Sequence, residues 1–326
     1  MAAEKEIVIN NLKKYFKVNN GILHAVDDVS FYIEKGETLG LVGESGCGKS
    51  TTGRTIIRLL EADGGEVLFN GKNVHDFNKV ELQEFRRHAQ MVFQDPYSSL
   101  NPRLSISDII AEPLLNIKEY RRNKPLLDKR IRELMDVVGL SQRLINAYPH
   151  ELDGGRRQRV GVARALSVEP EFIVLDEPVS ALDVCIQAQI INLLIRLQKD
   201  FGLTYLFISH DLSVVKHISN RIGVMYLGKI VELSSYRDIF ENPLHPYTQA
   251  LLSAIPIPKV GLHRERIILK GDVPSPVNLP AGCRFASRCP KAQELCYSSS
   301  PDLVEVAPNR FVACHYAGSV HGNTAM

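Results

Sequence analysis

Eight residues, Gly43-Glu44-Ser45-Gly46-Cys47-Gly48-Lys49-Ser50, fit the spacing G-x-x-x-x-G-K-[ST]. Glycines let backbone N–H groups close around phosphate oxygens, and a helix opening at Ser50 adds the partial positive charge of its N-terminus. Lys49 is then placed to neutralise β- and γ-phosphates, Ser50 to hold Mg²⁺ and Thr51 to donate to the α-phosphate. A Gly-rich structural turn is the plain alternative. A metal needs a second acidic element, and Phe172-Ile173-Val174-Leu175-Asp176-Glu177 supplies it: four apolar residues make a buried strand that ends in two carboxylates. Asp176 is the candidate for the Mg²⁺ shell and Glu177 the candidate base that polarises an attacking water. Taken alone, the pair reads equally well as two exposed carboxylates; the loop upstream gives it weight.

Cys283, Cys289, Cys296 and Cys314 carry a second possible chemistry, with spacing C-x5-C-x6-C-x17-C. Four thiolates from one short, Pro-stiffened segment suffice for a tetrahedral Zn²⁺ or a [4Fe–4S] cluster. Zinc sites generally bring ligands as close C-x2–4-C pairs, which this segment lacks. The wider spacing suits a cluster with a structural role, with zinc and plain thiols or disulfides left open. Cys47 and Cys185 remain. Inside the loop a small side chain suffices, so Cys47 reads as structural.

The elements around these residues alternate. Strand-like Glu6–Ile9, Val29–Ile33 and Glu37–Val42 precede a helical pattern over Ser50–Leu60, which indicates an α/β fold. From Asp95 to Leu152 the texture turns helical, with Ile131, Leu134, Met135 and Val138 in helical register. Strands return at Phe172–Leu175 and Thr204–Ile208, with helical Ile186–Gln198 between them, and Ile222–Leu233 continues as β structure. Beyond about Pro256 come Pro274, Pro276, Pro280, Pro290 and Pro301 with four of the six cysteines. The expected domains are therefore 1–255, with a helical subdomain about 95–154, and a Cys-rich domain 256–326.

Composition sets the bounds. In 326 residues, Lys+Arg 39 against Asp+Glu 37 leaves a net charge of +2, with 44% hydrophobic residues. That excludes a disordered chain and argues against a general polyanion binder. The N-terminus MAAEKEIVIN has no apolar stretch behind a basic head, and no window reaches 18 uninterrupted apolar residues. The chain is expected in the cytosol, with its cysteines reduced or metal-bound rather than in disulfides, and with any membrane role coming through a partner.

The order of Gly43–Thr51, Gln94, the Leu152–Arg159 segment, Leu175–Glu177, Ser180-Ala181-Leu182-Asp183 and His210 resembles the ATP-binding cassette of ABC transporters, from about Ile7 to Val231. The resemblance implies a P-loop NTPase cassette: a RecA-like core, an antiparallel β region and a helical insertion where membrane partners dock. It implies that Phe16 stacks on adenine, with Tyr15 as substitute, a contact worth about 1–3 kcal/mol. It further implies that Gln94 senses Mg²⁺, that His210 contacts the γ-phosphate and that Asp183 lies in the loop crossing to the other nucleotide domain.

One motif departs from the family pattern. Where the signature usually reads Leu-Ser-Gly-Gly-Gln, this chain has Leu152-Asp153-Gly154-Gly155-Arg156. In a cassette dimer this segment caps the ATP held by the partner's loop, so Asp153 would set a carboxylate beside phosphate oxygens. At 4 Å and an effective dielectric of 20, one like-charge pair costs on the order of 4 kcal/mol before relaxation. Unequal composite sites follow, and a different ATPase subunit is favoured as partner over a homodimer.

Asn242-Pro243-Leu244-His245-Pro246-Tyr247-Thr248-Gln249-Ala250-Leu251-Leu252 resembles the segment that follows the cassette in ATPase subunits of oligopeptide and dipeptide importers. So do Gly271–Pro276, Gly282-Cys283-Arg284-Phe285 and Arg288-Cys289-Pro290. That branch implies peptide import through transmembrane permease subunits, indirect contact with a substrate-binding protein, a peripheral place on the cytoplasmic face of the membrane, and a [4Fe–4S] cluster on the four cysteines. The rivals are a regulatory, weakly hydrolysing cassette, suggested by Asp153, and a soluble cassette ATPase acting on DNA or ribosomes. The near-neutral charge speaks against nucleic acid.

Overall fold

The computed structural model describes residues 4–255, 266–272, 274–279 and 281–317. The domain boundary expected at Pro256, and Pro280, lie outside the described residues. The chain forms two compact units: one holds Glu34–Glu37 and Asp76–Ile208, the other Lys5–Ile33, Thr38–His75 and the chain from Ser209 onward.

In the first unit three parallel strands, Ala89–Val92, Phe172–Asp176 and Thr204–Ser209, lie side by side, with Phe172 opposite both Ala89 and Thr204. Every residue of the latter two strands is buried, as the unbroken apolar runs require of a parallel sheet covered on both faces. The crossover between them is the helix Val184–Phe201, whose Ile190, Ile191, Leu194 and Leu197 recur at helical spacing and are buried. Asp183 starts this helix and Gly202, at φ 68°, ends it in the left-handed conformation that glycine tolerates. The helices Ile106–Leu114, Lys124–Val137 and Gly154–Leu166 belong to the same unit, and Ile131, Leu134 and Met135 form the buried face of the middle one.

The second unit carries two runs of strands. Lys5–Val18 and Gly21–Glu34 pair with each other, and Gly64–Phe69 and Lys72–Asn73 extend them. The other run begins with Thr38–Val42, parallel to Arg221–Tyr226, and continues antiparallel through Lys229–Ser235 and Arg310–Val312 to Val304–Ala307. The Cys-bearing C-terminal segment thus adds a hairpin to the strands that carry the glycine loop. The helix after that loop is shorter than the pattern Ser50–Leu60 indicates. It spans Lys49–Ile56 and stops before Arg58, whose φ of 53° cannot continue a right-handed helix.

Candidate functional site

The strand Thr38–Val42 delivers the chain into the glycine loop, and the helix Lys49–Ile56 leaves it. Gly48 is its hinge. At φ 109° the backbone is closed to L side chains, and an added Cβ would stand 2.0 Å from the Ala25 carbonyl oxygen. A Cβ on Gly43 would meet the Met225 carbonyl oxygen at 2.2 Å. The loop is thereby pressed onto neighbouring backbone, with Ser45 and Gly46 exposed at its tip. Lys49 is 4% exposed, and its Nζ donates to the carbonyl oxygens of Gly43 at 2.8 Å and Glu44 at 3.0 Å. A buried ammonium spanning the loop's own carbonyls, at a helix N-terminus whose amides are not consumed by a side-chain cap, is an anion site in chemical terms. Ser50 and Thr51 are half-buried on the first turn. Cys47 is buried, and burial pushes its thiol up, away from the reactive thiolate.

Two aromatic residues end the strand Lys5–Val18, and they differ in what they already do. The Tyr15 ring lies 4.4 Å from the His24 ring and its hydroxyl donates to Asp27 at 2.5 Å. Phe16 is 36% exposed, with the Lys14 ammonium 5.3 Å from its ring centroid. Its ring is the one available for stacking. His210, in the same unit, is exposed just after the strand Thr204–Ser209, ahead of the helix Leu212–Ile218 that Asp211 caps.

In the other unit, Asp176 is fully buried at the end of its strand. Glu177 follows at φ 46°, its N–H bonded to the Ile208 carbonyl at 3.0 Å, an uncommon conformation that turns the chain sharply off the strand. Gln94 Nε2 donates to Glu177 Oε2 at 2.8 Å, so two residues 83 positions apart meet. Asp183 caps the helix Val184–Phe201, its Oδ1 accepting from the N–H groups of Cys185 and Ile186, both at 3.1 Å.

The departing signature has a local explanation. Asp153 is the N-cap of the helix Gly154–Leu166: Oδ1 accepts from the Arg156 N–H at 2.7 Å, the bond a serine would also make. Oδ2 lies 3.4 Å from Arg156 Nε, so the two unusual residues form an ion pair. Of the glycines between them, Gly155 is the more tightly packed: a Cβ there would come within 2.5 Å of Ile186 Cγ2, whereas one on Gly154 would meet only the end of the Leu182 side chain at 2.9 Å.

Cys283, Cys289, Cys296 and Cys314 are free thiols that line a single cavity of about 40 Å³ beside His245 and Phe285. Burial pushes the thiols of Cys283, Cys289 and Cys314 up. This donor set suits a soft metal or a cluster. Among the described residues, however, no three His, Cys, Asp or Glu side chains are disposed to hold a metal ion. The iron–sulfur and zinc expectations thus meet fitting chemistry without an assembled ligand set. Sequence reasoning missed the connections back to the glycine loop from Arg288 in this segment and from Tyr247 upstream of it, which lie 244 and 203 residues from Glu44.

Residues 26–180 match the family model of ABC transporters, and residues 231–296 that of the oligopeptide/dipeptide transporter C-terminal region. The oligopeptide transport ATP-binding protein AppF of Bacillus subtilis is 52% identical, over 96% of this chain and 98% of its own length. OppF of the same organism, also an oligopeptide transport ATP-binding protein, is 54% identical over 95% and 96%. Among solved structures, a dimeric ATP-binding cassette in a post-hydrolysis state with ADP and Pi aligns at a TM-score of 0.65 and 31% identity, covering 71% of this chain and 99% of that one. A component of the cbiONQ ABC transporter complex from Clostridium perfringens aligns at a TM-score of 0.65 and 26% identity, covering 73% and 92%. Fold and loop together define an ABC ATPase. Within that class, the chain belongs to the family of oligopeptide transport ATP-binding proteins. No helix among the described residues is long and apolar enough to cross a membrane.

Proposed function

We propose that this chain hydrolyses ATP to drive import of di- or oligopeptides, working at the cytoplasmic face of a membrane against transmembrane permease subunits. The observation that carries the proposal is the glycine loop, with Lys49 buried across the carbonyls of Gly43 and Glu44 at the start of a helix. Gly43, Ser45, Gly46, Cys47 and Gly48 offer backbone N–H groups to the phosphates, Lys49 its charge and Thr51 its hydroxyl. Ser50, Asp176 and Gln94 are the residues the family resemblance assigns to Mg²⁺, which would neutralise phosphate charge. Phe16 carries the base. Glu177 takes a proton from the attacking water as its oxygen bonds to the γ-phosphorus and ADP leaves; Gln94, bonded to Glu177 in this structure, orients that carboxylate. His210 steadies the γ-phosphate. Asp153, Gly154 and Gly155 cap nucleotide on a partner cassette, and Asp183 lies on the way across to it.

The partner is proposed to be a second, different ATPase subunit, because a homodimer repeats the Asp153 carboxylate at both composite sites. The segment 256–326 is proposed as a Cys-rich domain whose four cysteines take a [4Fe–4S] cluster, or Zn²⁺ in its place; the lining of one cavity by all four supports this. The substrate-binding protein acts only through the permease.

The test is retention and turnover of labelled ATP with Mg²⁺. Lys49→Ala is expected to abolish retention. Glu177→Gln is expected to keep it while turnover falls by about 10²–10⁴, the usual worth of a positioned base. Wild-type protein that retains no ATP, or a Glu177→Gln variant that turns over at the wild-type rate, refutes the assignment.

A further inference from the structure

The loop's second residue is held from three sides. Glu44 donates its N–H to the Tyr247 hydroxyl at 3.0 Å, accepts Lys49 Nζ on its carbonyl at 3.0 Å, and receives Arg288 on its carboxylate, with Nη1 3.0 Å from Oε2 and 3.2 Å from Oε1. The Arg288 side chain is 9% exposed and that of Glu44 27%. Tyr247 and Arg288 are themselves tied together, since the Arg288 guanidinium reaches the Tyr226 hydroxyl at 3.5 Å and the Tyr226 and Tyr247 rings lie 4.7 Å apart. Phe285 packs on both rings, at 5.3 and 5.4 Å. A second arginine braces the other side. Arg284 donates to the Asp27 carboxylate and to the Leu227 carbonyl, and the next residue, Gly228, donates its N–H to the Cys47 carbonyl at 2.8 Å. All of these residues belong to one compact unit.

A carboxylate in a loop built for phosphate is an electrostatic liability. It is tolerable when a cation of the same protein occupies it. We propose that Arg288 is a positioning residue of the nucleotide site: it neutralises Glu44 and fixes the loop's second peptide, and so sets the place of Lys49 without touching nucleotide. This rests on the reading of the loop as an ATP site. Without the guanidinium, the Glu44 carboxylate opposes the triphosphate, and the residue whose carbonyl receives Lys49 keeps only the Tyr247 tie on its N–H.

The experiment measures the Kd of ATP with Mg²⁺ on the full chain at low and at high salt. Arg288→Met is expected to weaken binding about tenfold at low salt, as the loss of one charge-assisted contact does. The deficit is expected to shrink only in part at about 0.5 M salt, because the Glu44 side chain is 27% exposed and part-buried charges are screened less than exposed ones. Arg288→Lys, which keeps the charge, is expected to restore most of the affinity. Arg288→Met combined with Glu44→Gln should bind within about threefold of wild type, because the carboxylate that needed a partner is gone. Should the Met variant fail to fold, Arg288→Gln gives the same comparison. An Arg288→Met variant that binds like wild type at low salt, or a double variant no better than the single one, overturns the inference. Wild-type protein that binds no ATP overturns instead the reading of the loop.

Discussion

Replacing Asp153 by serine separates two things its carboxylate does. As helix N-cap it accepts the Arg156 N–H at 2.7 Å, and serine caps as well as aspartate. As a charge on the proposed cap of a partner's nucleotide it opposes phosphate. The dielectric-20 figure of about 4 kcal/mol is the upper end of that opposition, and the 59% and 56% exposure of the Asp153 and Arg156 side chains in the free chain sets the lower end. In the water limit the same pair at 4 Å costs about 1 kcal/mol, which corresponds to roughly a fivefold change in rate. Arg156 at 3.4 Å offsets part of it, which keeps the expected effect near the exposed limit of about fivefold. Turnover by the isolated chain should therefore rise in Asp153→Ser by about fivefold with an unchanged melting temperature. Asp153→Ala should show the same rise with a loss of about 1 kcal/mol, the worth of the cap. ATPase rates and thermal melts on the same preparations decide the matter. A serine variant with turnover and ATP-driven dimerisation equal to wild type, or with lower turnover, removes the electrostatic argument.

Two other outcomes are open to measurement. Protein purified without air is expected to carry iron and acid-labile sulfide on Cys283, Cys289, Cys296 and Cys314, and Cys296→Ser to lose both; because burial favours the neutral thiols, reloading of stripped protein should slow as pH is lowered. Colourless anaerobic protein without iron rejects the cluster, and bound zinc there would replace it. The second concerns Asp27. Burial works against its carboxylate, but the Tyr15 hydroxyl and the Arg284 guanidinium outweigh it and hold the group below the usual range. A carboxyl depressed on folding contributes stability above its unfolded value near 3.9 and loses it as pH falls through the folded value. The melting difference between wild type and Arg284→Met is thus expected to hold steady from about pH 8 to 5 and to close below about pH 4. A difference undiminished at pH 3 refutes that cause.

The glycine loop was legible because its constraints are local: Gly48 must accept φ 109° and Lys49 must begin a helix, whatever surrounds them. The strand Phe172–Asp176 was legible because an apolar run ending in acid has few other uses. Local pattern failed where partners supply the order. Lys79–His88 buries only Phe85, so its sequence shows no apolar stripe, and its capping box of Asn78 and Glu81 was the overlooked signal. The first strand runs to Val18 rather than Ile9, because its polar half is held by pairing as far as Lys13 with Gly64 rather than by burial. Asp153 looked like a charge out of place until its cap was visible. The bond between Arg288 and Glu44 leaves no trace in either neighbourhood, since neither residue type needs the other except across the folded chain.

The hairpin that the C-terminal segment adds ends in Val304–Ala307, the outermost strand of its run. Val304 and Val306, on one side of the ribbon, are 51% and 44% exposed. Such a flank invites self-association through backbone pairing. Its brevity and the acidic Glu305 between the valines hold that tendency in check, with the Glu305 carboxylate also closing the hairpin turn on the Asn309 N–H at 2.8 Å. One glutamate far along the chain from the chemistry thus guards this flank, and neutralising it would leave the two valines and the strand edge without that charge.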